Sequence, residues 1–161
     1  MEDSIIQLTR IFRYTCSNAK LTTVQEEFEF CIQYCNLLKI RYDERLTFIS
    51  SMEEEAKYIS IPRLLIQPLV ENALKHGMDS DGISITISIS AFIEDQTLIL
   101  EAKNNGIPIN IQEVYSDGKV GIRNVGNRIK IFHPHASFEI KLIGDITSMR
   151  IKIPLEGETS V

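Results

Sequence analysis

The 161-residue sequence has no tryptophan, and only 7% of it is aromatic. That leaves little material for stacking on nucleic-acid bases. A cationic excess is missing too: 17 Lys and Arg stand against 22 Asp and Glu, a net charge of -5. The clustered basic footprint of a nucleic-acid-binding domain is therefore not there, and no nucleic-acid partner is expected. Cysteine is scarce and unpaired in pattern. Cys16, Cys31 and Cys35 are odd in number, fall in helical stretches and form no C-x-x-C motif. They read as reduced packing residues rather than as a disulfide framework or metal ligands, which predicts a reducing, cytoplasmic compartment. The longest apolar run, over residues 59–70, is broken by Arg63 and Gln67 and is too short to span a bilayer. Glu2 and Asp3 stand where a secretory leader would be basic, so no leader is expected. Neither an internal repeat nor a low-complexity segment is found.

What is there is the balance of a folded soluble chain, 43% hydrophobic and 24% charged. The length fits one domain with a helical extension. Ile5, Leu8, Ile11 and Phe12 have helical spacing over residues 4–17. Thr23-Val24-Gln25-Glu26 has the form of a capping box, and predicts a helix from there towards Tyr42. Residues 45–52 alternate like a strand. A third helix is predicted from Pro62, where the missing N–H would be unpaired anyway, to Gly77. Residues 83–92 and 97–103 read as a hairpin around the polar turn 93–96. A helix from Gly121 to Pro134 follows, then two closing strands, 137–143 and 148–153, around Gly144-Asp145. Helices with paired strands and few parallel crossovers predict an α+β fold: a two-layer sandwich, one mixed sheet with helices on one face, preceded by a helical extension.

The stretch that carries chemistry is Gln67-Pro68-Leu69-Val70-Glu71-Asn72-Ala73-Leu74-Lys75-His76-Gly77. At about 100° per residue, Ile66, Leu69, Val70, Ala73 and Leu74 fill one half of the helix and the polar residues the other. Asn72, Lys75 and His76 stand at i, i+3 and i+4, able to converge on one ligand. One reading is a solvated helix face. Against it, Asn is a poor helix former that prefers caps. Held mid-helix beside two cations, it can offer its carbonyl oxygen to Mg²⁺ while they meet phosphate oxygens.

This run resembles the N box of sensor histidine kinases, in the branch with LytS- and YesM-type sensors, which reads QPLVENAxKHG. The resemblance covers nearly the whole chain. Residues 21–27 through Ile40-Arg41-Tyr42 resemble the connecting helix, and Ile61-Pro62 precedes the N box. Gly121-Ile122-Arg123-Asn124-Val125 with Arg128-Ile129 resembles the second glycine box, and Ile151-Lys152-Ile153-Pro154-Leu155 the final strand. The resemblance implies a Bergerat (GHKL) fold that binds ATP with Mg²⁺. It implies residues 1–20 as the end of the dimerisation region, 21–157 as the catalytic domain and 158–161 as a tail. Asn72 would hold the metal, Glu71 would lie near it or its waters, and Lys75 and His76 near the phosphates. Gly121, Ile122 and Asn124 would sit at the phosphate-binding helix start, Asn104 and Gly106 in the first glycine box, and Thr147 at the adenine edge. The implied partners are the phosphoacceptor histidine segment of the parent kinase, a downstream response regulator and, in the full-length protein, a second copy. The parent protein is expected to be an integral membrane sensor with this part in the cytoplasm.

Three positions depart from the family pattern. Its first glycine box reads D-x-G-x-G, whereas here it is Asn104-Asn105-Gly106-Ile107-Pro108, and Lys119 replaces the first Gly of the second box. Asn104 keeps an acceptor oxygen without the charge, at a loss of roughly 1 kcal/mol of hydrogen bonding. Pro108 and Lys119 should stiffen the lid between the boxes. No PHFLFN-like phosphoacceptor segment occurs in the chain; the resemblance implies that it would precede the first helix. His133-Pro134-His135 reads as a solvated turn. Three functions stay open: a kinase catalytic domain, a non-catalytic signalling scaffold of the same fold, and a related ATPase or serine kinase. Pro68 stands where hydrolases of this fold place a Glu, which argues against hydrolysis.

Overall fold

The computed structural model describes residues 9, 12–77, 82–108 and 120–155. Residue 9 and residues 12–15 are helical, residues 16 and 17 are not, and residues 4–8, 10 and 11 of the expected first helix lie outside the described residues. Residues 12–20 form an N-terminal arm that leads into β1 (Leu21–Thr23). α1 (Val24–Tyr42) follows at once, and both halves of its capping box are present. The Thr23 hydroxyl accepts from the Glu26 N–H at 3.2 Å and the Glu26 carboxylate from the Thr23 N–H at 3.1 Å, so two otherwise orphaned amides are satisfied.

β2 (Leu46–Met52), β3 (Ser60–Pro62), α2 (Gln67–Gly77) and the hairpin of β4 (Ile85–Glu94) and β5 (Thr97–Asn104) come next. α3 (Val120–Phe132), β6 (Ser137–Ile143) and β7 (Ile146–Pro154) complete the order. The main sheet runs β2-β4-β5-β7-β6, and β1 pairs with β3 in a separate ribbon. β2 lies parallel to β4 while the other pairs are antiparallel, so the sheet is mixed as expected.

Two sequence expectations change in detail. Pro62 does not open a helix: it ends β3, opposite Leu21, and α2 begins at Gln67. The reason given for Pro62 applies instead to Pro68, the second residue of α2, where no intrahelical partner awaits an N–H. The β4–β5 turn is also tighter than the four residues expected. It is made by Asp95 and Gln96, both at positive φ (48° and 55°), which matches the twist of the flanking strands.

The core lies on one face of the sheet. Ile85, Ile87 and Ile89 of β4, Leu98 and Leu100 of β5, and Ile151 of β7 are buried there. α1 packs on β2, α2 on β4 and β5, and α3 on β6 and α2. The intervening strand residues point to the other face and are mostly polar, with Ile49, Phe92 and Ile99 among the apolar exceptions. Glu101, Lys103, Ser148 and Arg150 form one ion-paired cluster there, and Glu139, Lys141 and Lys152 another. Helices on one face of a mixed sheet give the two-layer α+β sandwich. Among the described residues, no helix is long and apolar enough to cross a membrane.

Candidate nucleotide site

α2 is amphipathic in the way its sequence demands. Leu69, Val70, Ala73 and Leu74 are buried against the sheet, whereas Glu71 and Lys75 are exposed and Asn72 lies between, half-buried. The Ile66 carbonyl accepts from the N–H groups of both Leu69 (2.9 Å) and Val70 (3.2 Å), which starts the helix. Asn72 donates its Nδ2 to the Met149 sulfur at 3.5 Å. Its other arm, Oδ1, is the one that can serve a metal. Glu71 is held at its own side of the helix, accepting from Gln67 Nε2 at 2.5 Å and from the Tyr34 hydroxyl at 3.3 Å.

The strand ends beside Asn72 come from β5 and β7. Met149 pairs with Ala102, and two residues along the ladder Thr147 pairs with Asn104. Asn104 and Thr147 are 3% and 2% exposed, and the strand alternation puts both on the helix-covered face. The Asn104 Oδ1 is buried and has no hydrogen-bond partner among the described residues. Among the described residues one other buried side-chain oxygen is without a hydrogen bond, Glu139 Oε1, but it lies 3.0 Å from the Lys152 ammonium and is ion-paired. A neutral acceptor sealed from water and left alone costs about 1–3 kcal/mol, and such an atom in a native fold asks for an explanation.

The chain just beyond is fixed by its neighbour. Asn105 accepts from the Thr86 N–H at 2.7 Å and donates its own N–H to the Thr86 carbonyl at 3.4 Å. Gly106 is buried next to it. α3 packs against α2 and begins at Val120, so Gly121 and Ile122 lie in its first turn, where backbone N–H groups lack intrahelical partners. Asn124 is exposed on α3. The side chains of His76 and Ile122, and all of residue 119, lie outside the described residues. Asn72, Asn104, Gly106 and Thr147 are thus brought to one end of the sheet, with the start of α3 on the neighbouring helix.

His133 and His135 belong elsewhere. They line a cavity of about 300 Å³ with Phe132, Ile153 and Leu155. That is the far end of β7, about 20 Å along the strand from Thr147. Cys31 and Cys35 are buried in the core, and burial pushes the Cys35 thiol up to about 12, so both remain protonated packing groups. Among the described residues no cluster of three or more His, Cys, Asp or Glu could hold a metal. A Mg²⁺ here would draw on Asn72, phosphate oxygens and water, the habit of that ion at nucleotide sites.

Sequence reading missed how the loop before α2 is held. Glu27 of α1, fully buried, accepts from the N–H groups of Leu64 (2.6 Å), Leu65 (3.0 Å) and Ile66 (3.1 Å). Arg128 of α3 donates to the carbonyls of Arg63 (3.3 Å) and Leu64 (3.0 Å). The only signal for Glu27 was its place on the inward-facing side of a capped helix.

Known proteins resemble this chain in sequence and in fold. A family model described as histidine kinase matches residues 1–46. The sensor protein kinase HptS of Staphylococcus aureus (strain bovine RF122 / ET3-1) is 28% identical over 163 residues, covering 92% of this chain and 31% of HptS. The chain therefore spans about a third of the length of the curated relative it matches. Among solved structures, the Acinetobacter baumannii histidine kinase AdeS superimposes with a TM-score of 0.63 at 15% identity, covering 95% of this chain and 77% of that one. The nucleotide-free catalytic domain of histidine kinase ThkA gives a TM-score of 0.60 at 14% identity, covering 85% and 97%. ThkA has also been solved in complex with the response regulator protein TrrA. The chain is thus similar in sequence to a sensor protein kinase over most of its own length and has the fold of histidine kinase catalytic domains.

Proposed function

We propose that this chain is the ATP- and Mg²⁺-binding catalytic domain of a bacterial sensor histidine kinase. It would hand the γ-phosphoryl group to a histidine outside these residues, for passage to a response regulator as the ThkA–TrrA pairing suggests. The working domain is residues 21–157, preceded by the end of a dimerisation region. The observation that carries the reading is the buried, partnerless Asn104 Oδ1 beside Thr147. An acceptor held in that state is suited to an adenine amino group, a donor that would relieve its desolvation.

Each of the other residues then has a task. The unpaired amides at the start of α3, from Val120 to Ile122, offer an anion site aided by the helix dipole. Lys75 would supply positive charge from α2 to the phosphate oxygens, with His76 the next residue on that helix. Asn72 would hold the metal by its Oδ1, with Met149 fixing the amide's other arm. Bound Mg²⁺ supplies charge neutralisation across the phosphate oxygens. Phosphoryl transfer needs positioning and charge more than a general base, so Glu71, tied to Tyr34 and Gln67, orders the metal's waters at most.

The rival reading is a scaffold that binds no nucleotide, and the replacement of the family Asp by Asn104 is what favours it. Calorimetric titration with ATP, with and without Mg²⁺, and with GTP as control decides between them. Magnesium-dependent binding selective for ATP is expected. No heat at millimolar ATP would establish the scaffold.

A further inference from the structure

α2 has no capping side chain of its own. The residues before it turn through Leu64 at φ 53°, and a left-handed residue of this kind aims successive amides into one concavity, an anion nest. The anion that fills the nest is the protein's own Glu27. Its Oε2 serves Leu65 and Ile66, and its Oε1 serves Leu64. Arg128 holds the same loop by its carbonyls. The loop's donors are thus gripped by a carboxylate from α1 and its acceptors by a guanidinium from α3.

One further donor reaches Glu27, and it comes from outside the sandwich. The hydroxyl of Tyr14, in the N-terminal arm, donates to the Glu27 Oε1. The Tyr14 ring stacks on Phe30 (centroids 4.4 Å apart, 21° between planes) and lies beneath the Arg63 guanidinium at 3.8 Å. Arg63 also donates to the Tyr14 carbonyl. Burial and the Glu27 charge push the phenol pKa upward, so the group stays a donor at every working pH. The arm therefore touches the loop twice, through Glu27 at its amides and through Arg63 at its first residue.

We propose that the Tyr14–Glu27 hydrogen bond couples the N-terminal arm to α2, with Glu27 as the positioning residue that sets where Asn72 stands. With the arm seated, the buried carboxylate has four donors and the first turn of α2 is fixed. With the arm displaced, Glu27 loses the one side-chain donor it has among the described residues, and Arg63 loses its aromatic seat. The loop is then held less tightly and the first turn of α2 loosens. Movement of the arm thereby changes the geometry at Asn72 without touching any nucleotide-facing residue. The consequence for nucleotide rests on the proposed function of α2; the coupling of arm to helix does not.

The test uses the full chain with Tyr14→Phe, which keeps the ring stack and removes one hydroxyl. Amide hydrogen exchange without nucleotide should quicken about three- to tenfold at residues 64–70, the loss of one charge-assisted hydrogen bond, and stay unchanged in the β4–β5 hairpin. ATP·Mg²⁺ affinity should weaken by a similar factor. Glu27→Gln should do the same more strongly, and Tyr14→Phe carries the test if that variant fails to fold. Unchanged exchange at residues 64–70, or an even rise across the whole chain, overturns the coupling. If wild type binds no ATP but the local exchange effect is present, the nucleotide reading fails and the coupling stands. If wild type binds ATP and Tyr14→Phe alters neither exchange nor affinity, the coupling fails and the nucleotide reading stands.

Discussion

Glu101 and Asn104 lie three residues apart on β5, on opposite faces of the sheet, and are buried almost equally at 4% and 3% exposure. Their surroundings differ completely. Glu101 accepts from the Ser148 hydroxyl at 2.8 Å and from Arg150 at 2.9 and 3.3 Å, and pairs with the Lys103 ammonium at 2.9 Å. Asn104 Oδ1 has no partner among the described residues. A fold that surrounds one buried polar group with three donors can evidently satisfy such groups where stability is the issue. Where it leaves one bare, the missing donor is expected from outside. The open face is built for stability; on the proposed function, the helix-covered end of the sheet is built for a ligand.

The largest effect should come from breaking the satisfied group. Glu101→Ala leaves Arg150, Lys103 and Ser148 without their acceptor and should cost about 2–3 kcal/mol of stability in urea unfolding, with nucleotide affinity of the folded protein intact. Burial alone would raise the Glu101 pKa, but the hydrogen bonds from Lys103, Ser148 and Arg150 outweigh it and hold the carboxyl below its ordinary value. A depressed carboxylate contributes stability above its unfolded pKa and loses it as pH falls through the folded one. The gap between wild type and variant should therefore be constant near neutrality and close only below about pH 4.5. A gap that persisted in acid would show that packing, not charge, is what Glu101 supplies.

At the ligand end, Asn72→Ala should abolish the strengthening of ATP binding by Mg²⁺, which in wild type is expected to be about tenfold or more. Retained magnesium dependence would move the metal site off α2. The Asn104 substitutions sharpen the comparison directly. Asn104→Asp should tighten ATP a few-fold to about tenfold, since a carboxylate is the better acceptor and cannot present an NH₂ to the adenine amino group. GTP, with a carbonyl at that position, should gain nothing. Asn104→Leu should weaken ATP yet leave the free protein as stable or more so, the reverse of Glu101→Ala, because it removes an unsatisfied polar atom. Equal shifts for ATP and GTP in the Asp variant, or a destabilised Leu variant, would mean that Asn104 is an ordinary core residue.

How much of this could be read in the sequence depends on how local each interaction is. Thr23 and Glu26 cap a helix by bonds within four residues, and both bonds are there. The strand alternation and the split faces of α2 are likewise local, and they placed Asn72 on its helix, whereas the strands expected at 97–103 and 148–153 each stopped one residue short of Asn104 and Thr147, which β5 and β7 include. Pro62 was misread because its partner, Leu21, is far away in the chain: a strand of three residues has no periodicity to detect. Glu27 was passed over because a glutamate on a helix ordinarily faces water, and only the fold brings the amides of residues 64–66 to it. The bare state of Asn104 is a property of its surroundings and no sequence pattern encodes it.

The single parallel pairing in the sheet has a consequence for the order of assembly. β4–β5 and β6–β7 are hairpins that close over short turns. β2 can join β4 in parallel only after the chain between them has crossed over, and α2 lies in that crossover. Closing it loses more chain entropy before any contact is gained, so it belongs late in folding. The expected intermediate has both hairpins formed and no usable Asn72. Its signature in pulse-labelled refolding would be amides of β2 and α2 gaining protection together, after those of the hairpins; protection of α2 ahead of β4 and β5 would exclude it.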